Sequence, residues 1–215
     1  MRFPEFYNLF QEDVNYQKIV NPLLKHLNKK ELILDAGCGS GHLMVLLSKL
    51  GYKVIGIDKD IEMLTLASNN LIKNAFEPNL FIHNLNKPIP FKVNQIISLL
   101  DVINYFKYPK KMIKNLSKAL ESNGTLIIDL YKEPFKYFEE DNLNGIYYKW
   151  EITPYKNKIK HIINVEIDNQ KYKYRLNQYI YPLSHYLKIF KKYHLEGKII
   201  NGFDNRKHYL ILTKK

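Results

Sequence analysis

The chain has 215 residues, 46% of them hydrophobic and 13% aromatic, enough for one good-sized core or a core with a small addition, and too much for global disorder. Its formal net charge is +12, but only three of the 33 basic residues are Arg (Arg2, Arg175 and Arg206), and the Lys are scattered among Asn, Ile and Tyr, so a solvated surface is preferred to a nucleic-acid face. A single cysteine excludes an internal disulfide, no apolar run approaches the ~18 residues of a bilayer span, and the N-terminus lacks an apolar leader core, so a cytoplasmic protein is expected.

In chain order, the first thirteen residues carry Phe3, Phe6, Tyr7 and Phe10, with Tyr16 just beyond. An amphipathic pattern follows through Val14, Ile19, Val20, Leu23, Leu24 and Leu27 and reads as a helix packed on a sheet. Pro22 inside it is expected to kink that helix, or to start a new one with Asn21 as its cap.

An apolar strand, Ile33-Leu34-Asp35-Ala36, then runs into Gly37-Cys38-Gly39-Ser40-Gly41 and an amphipathic helix stopped by Gly51. Three glycines in five residues allow a tight turn and close approach of a ligand to the backbone. A second apolar run, Val54-Ile55-Gly56-Ile57, ends in Asp58, seventeen residues after Gly41. In open α/β sheets ligands bind beyond the carboxyl ends of the strands, and an acid so placed accepts the hydroxyl hydrogens of a ribose. The spacing is Gly-x-Gly-x-Gly, unlike a pyrophosphate loop, and the Asp35 carboxylate would repel a diphosphate but suits an ammonium group. A nucleoside bearing an amine fits both ends, and a nicotinamide dinucleotide fits poorly.

Leu34-Asp35-Ala36-Gly37-Cys38-Gly39-Ser40-Gly41 together with Val54-Ile55-Gly56-Ile57-Asp58 resembles the first two motifs of the class I S-adenosylmethionine-dependent methyltransferases. The resemblance implies a doubly wound, mostly parallel seven-stranded Rossmann-like α/β sheet with an antiparallel final hairpin. It implies S-adenosyl-L-methionine as cofactor and S-adenosyl-L-homocysteine as its product. Phe6 to Tyr16 is similar to the N-terminal segment of a small-molecule subgroup, in which two tyrosines close over the cofactor, a role that would fall to Tyr7 and Tyr16. Asp35, Gly37, Cys38, Gly39 and Asp58 would hold the cofactor, with Lys59 and Met63 beside the adenine. At the end of a third strand, Leu80 to His83, the family commonly has an acid before a small or apolar residue. Here Asn84-Leu85 stands instead, and an Asn oxygen can still accept from the adenine amine.

The fourth strand, Asn94 to Leu100, ends in Asp101-Val102-Ile103-Asn104-Tyr105-Phe106, similar to an Asp-x-x-Asn-Tyr run of small-molecule N-methyltransferases. By that likeness Leu100 would offer its carbonyl to the cofactor's ammonium, and Asp101, Asn104 and Tyr105 would contact the acceptor. Tyr105 and Phe106 read equally as packing residues. Pro109 opens a helix through Leu120, and Asn123-Gly124 turns it into a fifth strand, Thr125 to Leu130.

From 131 to 182 the texture becomes alternating and Tyr-rich, in Ile146 to Ile152, Ile159 to Ile167 and Tyr172 to Tyr181, with a turn near Asp168-Asn169. This predicts a small antiparallel β insertion. It looks like a substrate cap of the subgroup, which divides the chain into a core of 1–130 and 183–215 and a cap of 131–182. Trp150 in the cap either lines the acceptor site or holds the small sheet together. A helix from Leu183 to Tyr193 and two strands, Leu195 to Ile200 and Tyr209 to Leu212, complete the chain, with 201–208 as the loop between the strands.

Methyl transfer chiefly needs alignment and exclusion of water, so no catalytic constellation is required. Asp101, His161 and His185 are candidates to receive a proton only by position or type, as is His83, which otherwise reads as a strand-end residue. None of the seven His shows zinc-like spacing with Cys38, and no metal is expected. The reading is a methyltransferase acting on a small-molecule amine or hydroxyl. Two others stay open: an RNA methyltransferase, which the charge would favour, and a catalytically silent cofactor-binding regulator. Oligomeric state is not legible.

Overall fold

A computed structural model describes residues 1–12 and 14–215; Asp13, within the N-terminal segment that carries the resemblance, lies outside the described residues. The principal sheet contains β1 (Ile33–Ala36), β2 (Val54–Asp58), β3 (Leu80–Ile82), β4 (Val93–Ser98), β5 (Leu120–Tyr131), β10 (Leu195–Ile200) and β11 (Lys207–Lys214). Their order is β10-β11-β5-β4-β1-β2-β3, parallel from β5 to β3 and antiparallel at β10 and β11. This is the doubly wound, mostly parallel sheet expected.

All four residues of β1 are buried, as a central parallel strand covered on both faces requires. On one face α2 (Tyr16–Leu24) and α3 (His42–Lys49) bring Val20, Leu23, Leu43 and Leu47 against Ile33 and Ile97. On the other, α5 (Lys110–Ala119) and α6 (Leu183–Lys192) bring Met112, Leu116, Tyr186 and Phe190 against Leu34, Ile96 and Ile128. α4 (Ile61–Lys73) is capped by Asp60, whose side chain accepts from the Glu62 and Met63 amides. The order of strands reverses between β1 and β4, which opens a crevice there at the strand ends.

The second sheet is the insertion: β6 (Tyr137–Leu143), β7 (Ile146–Tyr155), β8 (Lys158–Ile167) and β9 (Gln170–Tyr179), antiparallel in that order. Its inner face (Tyr148, Trp150, Ile159, Ile163) packs on Phe6 and Phe10 of α1 (Phe3–Glu12). Asp168 and Asn169 both have positive φ, the backbone a two-residue hairpin prefers.

Several expectations are corrected. α2 runs unbroken through Pro22 and is capped by Asn15, not Asn21, because the proline falls in the last turn and Ile19, Val20 and Leu23 bury against the sheet. β6 was not foreseen: Tyr-Phe-Glu-Glu-Asp-Asn-Leu is mostly exposed and lacks apolar alternation, and pairing with β7 makes it a strand. β5 begins at Leu120, before Asn123-Gly124, with an irregularity in its pairing to β4. β11 begins at Lys207, so Lys207 and His208 lie on a strand rather than in a loop.

Candidate active site

The carboxyl ends of β1, β2 and β3, the segment after β4, and α1 surround a cavity of about 960 Å³. The turn after β1 is tied to β2, the Gly37 and Cys38 amides donating to the Ile57 carbonyl at 2.8 and 3.1 Å. Gly37 has φ +89°, and a Cβ there would lie 2.7 Å from Val102 Cγ1. Gly39 has φ +53° and nothing within 4 Å of where a Cβ would sit, so the loop leaves open space toward the cavity it lines.

Asp58 at the tip of β2 braces that loop. Oδ2 accepts from the Gly39 amide and Oδ1 from the Asp60 amide, both at 3.0 Å. Each oxygen keeps a second lone pair for a ligand hydroxyl. Burial raises the Asp58 carboxyl and these amide donors partly offset the rise.

Asp35 is 2% exposed and lines the cavity, and its Oδ2 has no hydrogen-bond partner among the described residues. Burial, and secondarily the Asp58 charge, push its carboxyl up to about 8. An unpartnered buried carboxylate is costly, and a ligand cation is the group that would satisfy it.

Across the crevice, Leu100 and Asp101 have φ +62° and +58°, two consecutive left-handed residues without a glycine. Such backbone costs of order 1–2 kcal/mol per residue unless its surroundings hold it. Asp129, fully buried on β5, does so: Oδ2 accepts from the Leu100 amide at 3.1 Å and Oδ1 from the Asp101 amide at 2.7 Å. Tyr7 and Gln11 of α1 and Tyr16 of α2 form the roof. The Tyr16 hydroxyl donates to Gln11 Oε1 at 2.6 Å, and its ring stacks on His42 at 5.6 Å. Met63, Asn84 and Leu85 line another part of the wall, where Asn84 Oδ1 accepts from the Asn86 amide at 2.9 Å.

The structure thus brings every expected cofactor residue to one cavity: Tyr7, Tyr16, Asp35, Gly37, Cys38, Gly39, Asp58, Lys59, Met63, Asn84, Leu85 and Leu100. The acceptor candidates divide. Tyr105 lines the cavity and is 41% exposed. Asp101, Asn104 and Trp150 do not line it, and each is engaged by other parts of the protein. Asn104 is fully buried, accepting from the Tyr131 amide at 3.1 Å and donating to the Tyr179 carbonyl at 2.8 Å. Trp150 donates from Nε1 to His161 Nδ1 at 3.1 Å and packs on Phe10 at 4.7 Å between ring centres. Asp101 accepts from Gln178 and, at 2.6 Å, from Lys207 Nζ.

His161, between Trp150 and Gln178, and His185, stacked on Tyr181, are likewise outside the lining, whereas His83 is in it. Sequence reasoning missed Gln11, His42 and Leu176 in the wall. It also missed Asp129 and Lys207 behind the wall; an acid inside the apolar run Leu126 to Leu130 was the available signal for the first, and Lys207 had none.

A family profile described as "Methyltransferase domain" matches residues 27–179, most of the chain. The chain belongs to the class I S-adenosylmethionine-dependent methyltransferases. The putative methyltransferase YqeM of Bacillus subtilis is 27% identical over 143 residues, 64% of this chain and 57% of that protein. The chain spans about half the length of the curated relatives it matches. Among solved structures, an S-adenosylmethionine-dependent methyltransferase from Clostridium acetobutylicum superposes with a TM-score of 0.81 at 20% identity, covering 99% of this chain and 97% of that one. The sugar N-methyltransferase KedS8 from Streptoalloteichus has a TM-score of 0.82 at 12% identity, covering 100% and 93%. In this chain the cavity occupies the crevice where the strand order reverses, the place an open α/β sheet offers a ligand.

Proposed function

We propose that this methyltransferase binds S-adenosylmethionine in the cavity and transfers its methyl group to a small-molecule amine or hydroxyl seated between the crevice and the insertion 131–182. The observation that carries the cofactor assignment is Asp35, whose buried, unpartnered oxygen beside an open glycine turn suits the cofactor's ammonium. Asp58 would take the ribose hydroxyls, Met63 and Leu85 would flank the adenine with Asn84 near its amine, and Leu100 would lie beside the amino-acid portion. Tyr7, Gln11 and Tyr16 would close the roof and exclude water.

The bound cofactor supplies an electrophilic methyl on a sulfonium for an in-line displacement. The chain's part is to align the acceptor with it. Tyr105 reaches the cavity from the segment after β4 and Leu176 from the insertion, so these two are the side chains proposed to shape the acceptor space. KedS8, a sugar N-methyltransferase, shares the architecture and supports a small acceptor.

The test is calorimetric titration of the protein with S-adenosylmethionine and S-adenosylhomocysteine, beside Asp58→Ala and an NADH control. Micromolar binding that the substitution abolishes is expected, followed by product formation in an acceptor screen begun with amines. Folded protein that binds neither ligand refutes the assignment.

A further inference from the structure

Behind the cavity wall runs a buried polar chain that joins three parts of the molecule. Lys207 Nζ, at the start of β11, donates to Asp101 Oδ1 at 2.6 Å and to Asp129 Oδ2 at 3.2 Å. The Lys207 side chain is 6% exposed, and those of Asp101 and Asp129 are 15% and 0% exposed. From the insertion, Gln178 Nε2 donates to Asp101 Oδ2, and Gln178 Oε1 accepts from His161 Nε2 at 3.0 Å. His161 Nδ1 takes the Trp150 indole hydrogen, and burial lowers the His161 pKa, in keeping with one ring nitrogen accepting while the other donates.

The chain converges on two residues of unfavourable backbone. Both Leu100 and Asp101 are left-handed, both amides end on the Asp129 carboxylate, and Leu100 forms cavity wall. Leu and Asp would leave this conformation if the amides lost their acceptor. Burial would lower the Lys207 ammonium, but the Asp101 and Asp129 carboxylates reverse this and hold it well above its ordinary value, so it stays charged between them.

We propose that Asp129 and Lys207 are positioning residues for the cofactor: a buried charge clamp that holds Leu100 and Asp101 in the backbone shape the cofactor wall requires, so that its integrity sets cofactor affinity. This rests on the cofactor assignment proposed above. The clamp touches no ligand and acts through Leu100. Because Gln178 pulls on the same Asp101 from the insertion, it is also the link by which the insertion's position reaches the cofactor wall.

Two variants test the clamp. Asp129→Asn keeps shape but replaces one acceptor oxygen by a donor. Amide hydrogen exchange at residues 100 and 101 is expected to rise at least about tenfold while the β1 and β4 amides stay protected, and the S-adenosylhomocysteine dissociation constant to weaken by about tenfold in calorimetry. Faster exchange with unchanged affinity, or weaker affinity with unchanged exchange at these amides, overturns the proposal.

Lys207→Met, the second variant, leaves two buried carboxylates without their cation, and a proton shared between them can stand in for the ammonium. The groups facing the clamp are Tyr7 of α1, Tyr105 beside Asp101, Tyr131 of β5, His161 of β8, Tyr209 of β11, which pairs with Asp129, and Asp204 just before β11. Burial raises the Asp129 carboxyl and the hydroxyls of Tyr7, Tyr131 and Tyr209. The affinity deficit relative to wild type at the same pH is therefore expected to be small at pH 6 and larger at pH 8. A deficit independent of pH, or none at either pH, overturns the clamp. Wild-type protein that binds no S-adenosylhomocysteine would instead overturn the cofactor assignment, so the two failures are distinguishable.

Discussion

Replacing Asp35 by Asn separates the cost of this carboxylate from its use. Burial moves its pKa from an ordinary 3.8 to about 8. The folded protein therefore holds a proton that the unfolded chain releases, and the stability it confers is complete below about pH 4 and lost as pH rises toward about 8. At pH 7, about three pH units above the unfolded value and at about 1.4 kcal/mol per unit, the loss has an upper limit of about 4 kcal/mol. Asn is nearly isosteric with the protonated acid and does not titrate. Asp35→Asn is thus expected to stabilise the ligand-free protein at pH 7 by up to that amount, and by little at pH 4.

The same change removes the anion proposed for the cofactor's ammonium, and loss of a charge-assisted hydrogen bond of about 1.5–3 kcal/mol is expected to weaken binding roughly ten- to hundredfold. Wild-type binding at pH 7 is expected to release close to one proton, and binding by the Asp35→Asn variant none. Urea unfolding at pH 4 and pH 7, with calorimetry in two buffers of different ionisation enthalpy, measures all three quantities. An Asp35→Asn protein less stable than wild type at pH 7, or one that binds S-adenosylhomocysteine as tightly, would refute the reasoning.

Three further outcomes are expected. Asp58→Ala removes the acceptor for the Gly39 and Asp60 amides as well as the proposed ribose partner, so calorimetry should show cofactor binding lost, with a fall in stability of about 1–2 kcal/mol in urea. Gly37→Ala forces a side chain onto φ +89° and to 2.7 Å from Val102, a cost of about 2–4 kcal/mol; pairing it with Val102→Ala should recover part of the loss, and no recovery would place the strain elsewhere. Asn104→Ala leaves the Tyr131 amide unpaired and takes the shorter of two donors from the Tyr179 carbonyl, which keeps only the Tyr186 hydroxyl at 3.4 Å, where the insertion meets the core, which should cost about 1–3 kcal/mol; fluorescence of Trp150, the single tryptophan, should report the insertion loosening before the core unfolds.

The proposed cofactor end of the site was legible because its chemistry is local. Asp35, Gly37, Gly39 and Asp58 sit at the ends of two strands whose apolar runs mark them, and a parallel sheet must bring those ends together. The helices and most strands were legible for the same reason, since their apolar periods and caps are read within a dozen residues. Roles further along the chain were not. The Asp-x-x-Asn-Tyr run suggested three acceptor contacts, but only Tyr105 lines the cavity, because the left-handed turn after β4 directs Asp101 and Asn104 into hydrogen bonds with β5, β9 and β11.

Alternation placed Trp150 in a β insertion without saying which face would meet α1. β6 has no apolar signal of its own and exists by pairing with β7. Lys207 looked like any of the many surface lysines, and its place between two buried carboxylates depends on partners 78 and 106 residues away in the chain. The sequence by itself determined the sheet, the glycine turn after β1 and the two acids that flank it, because these follow from short-range pattern and strand geometry. Only the tertiary structure decided which polar side chains face the cavity and which are consumed behind it, because buried polar groups take whichever partners the packing of distant segments supplies.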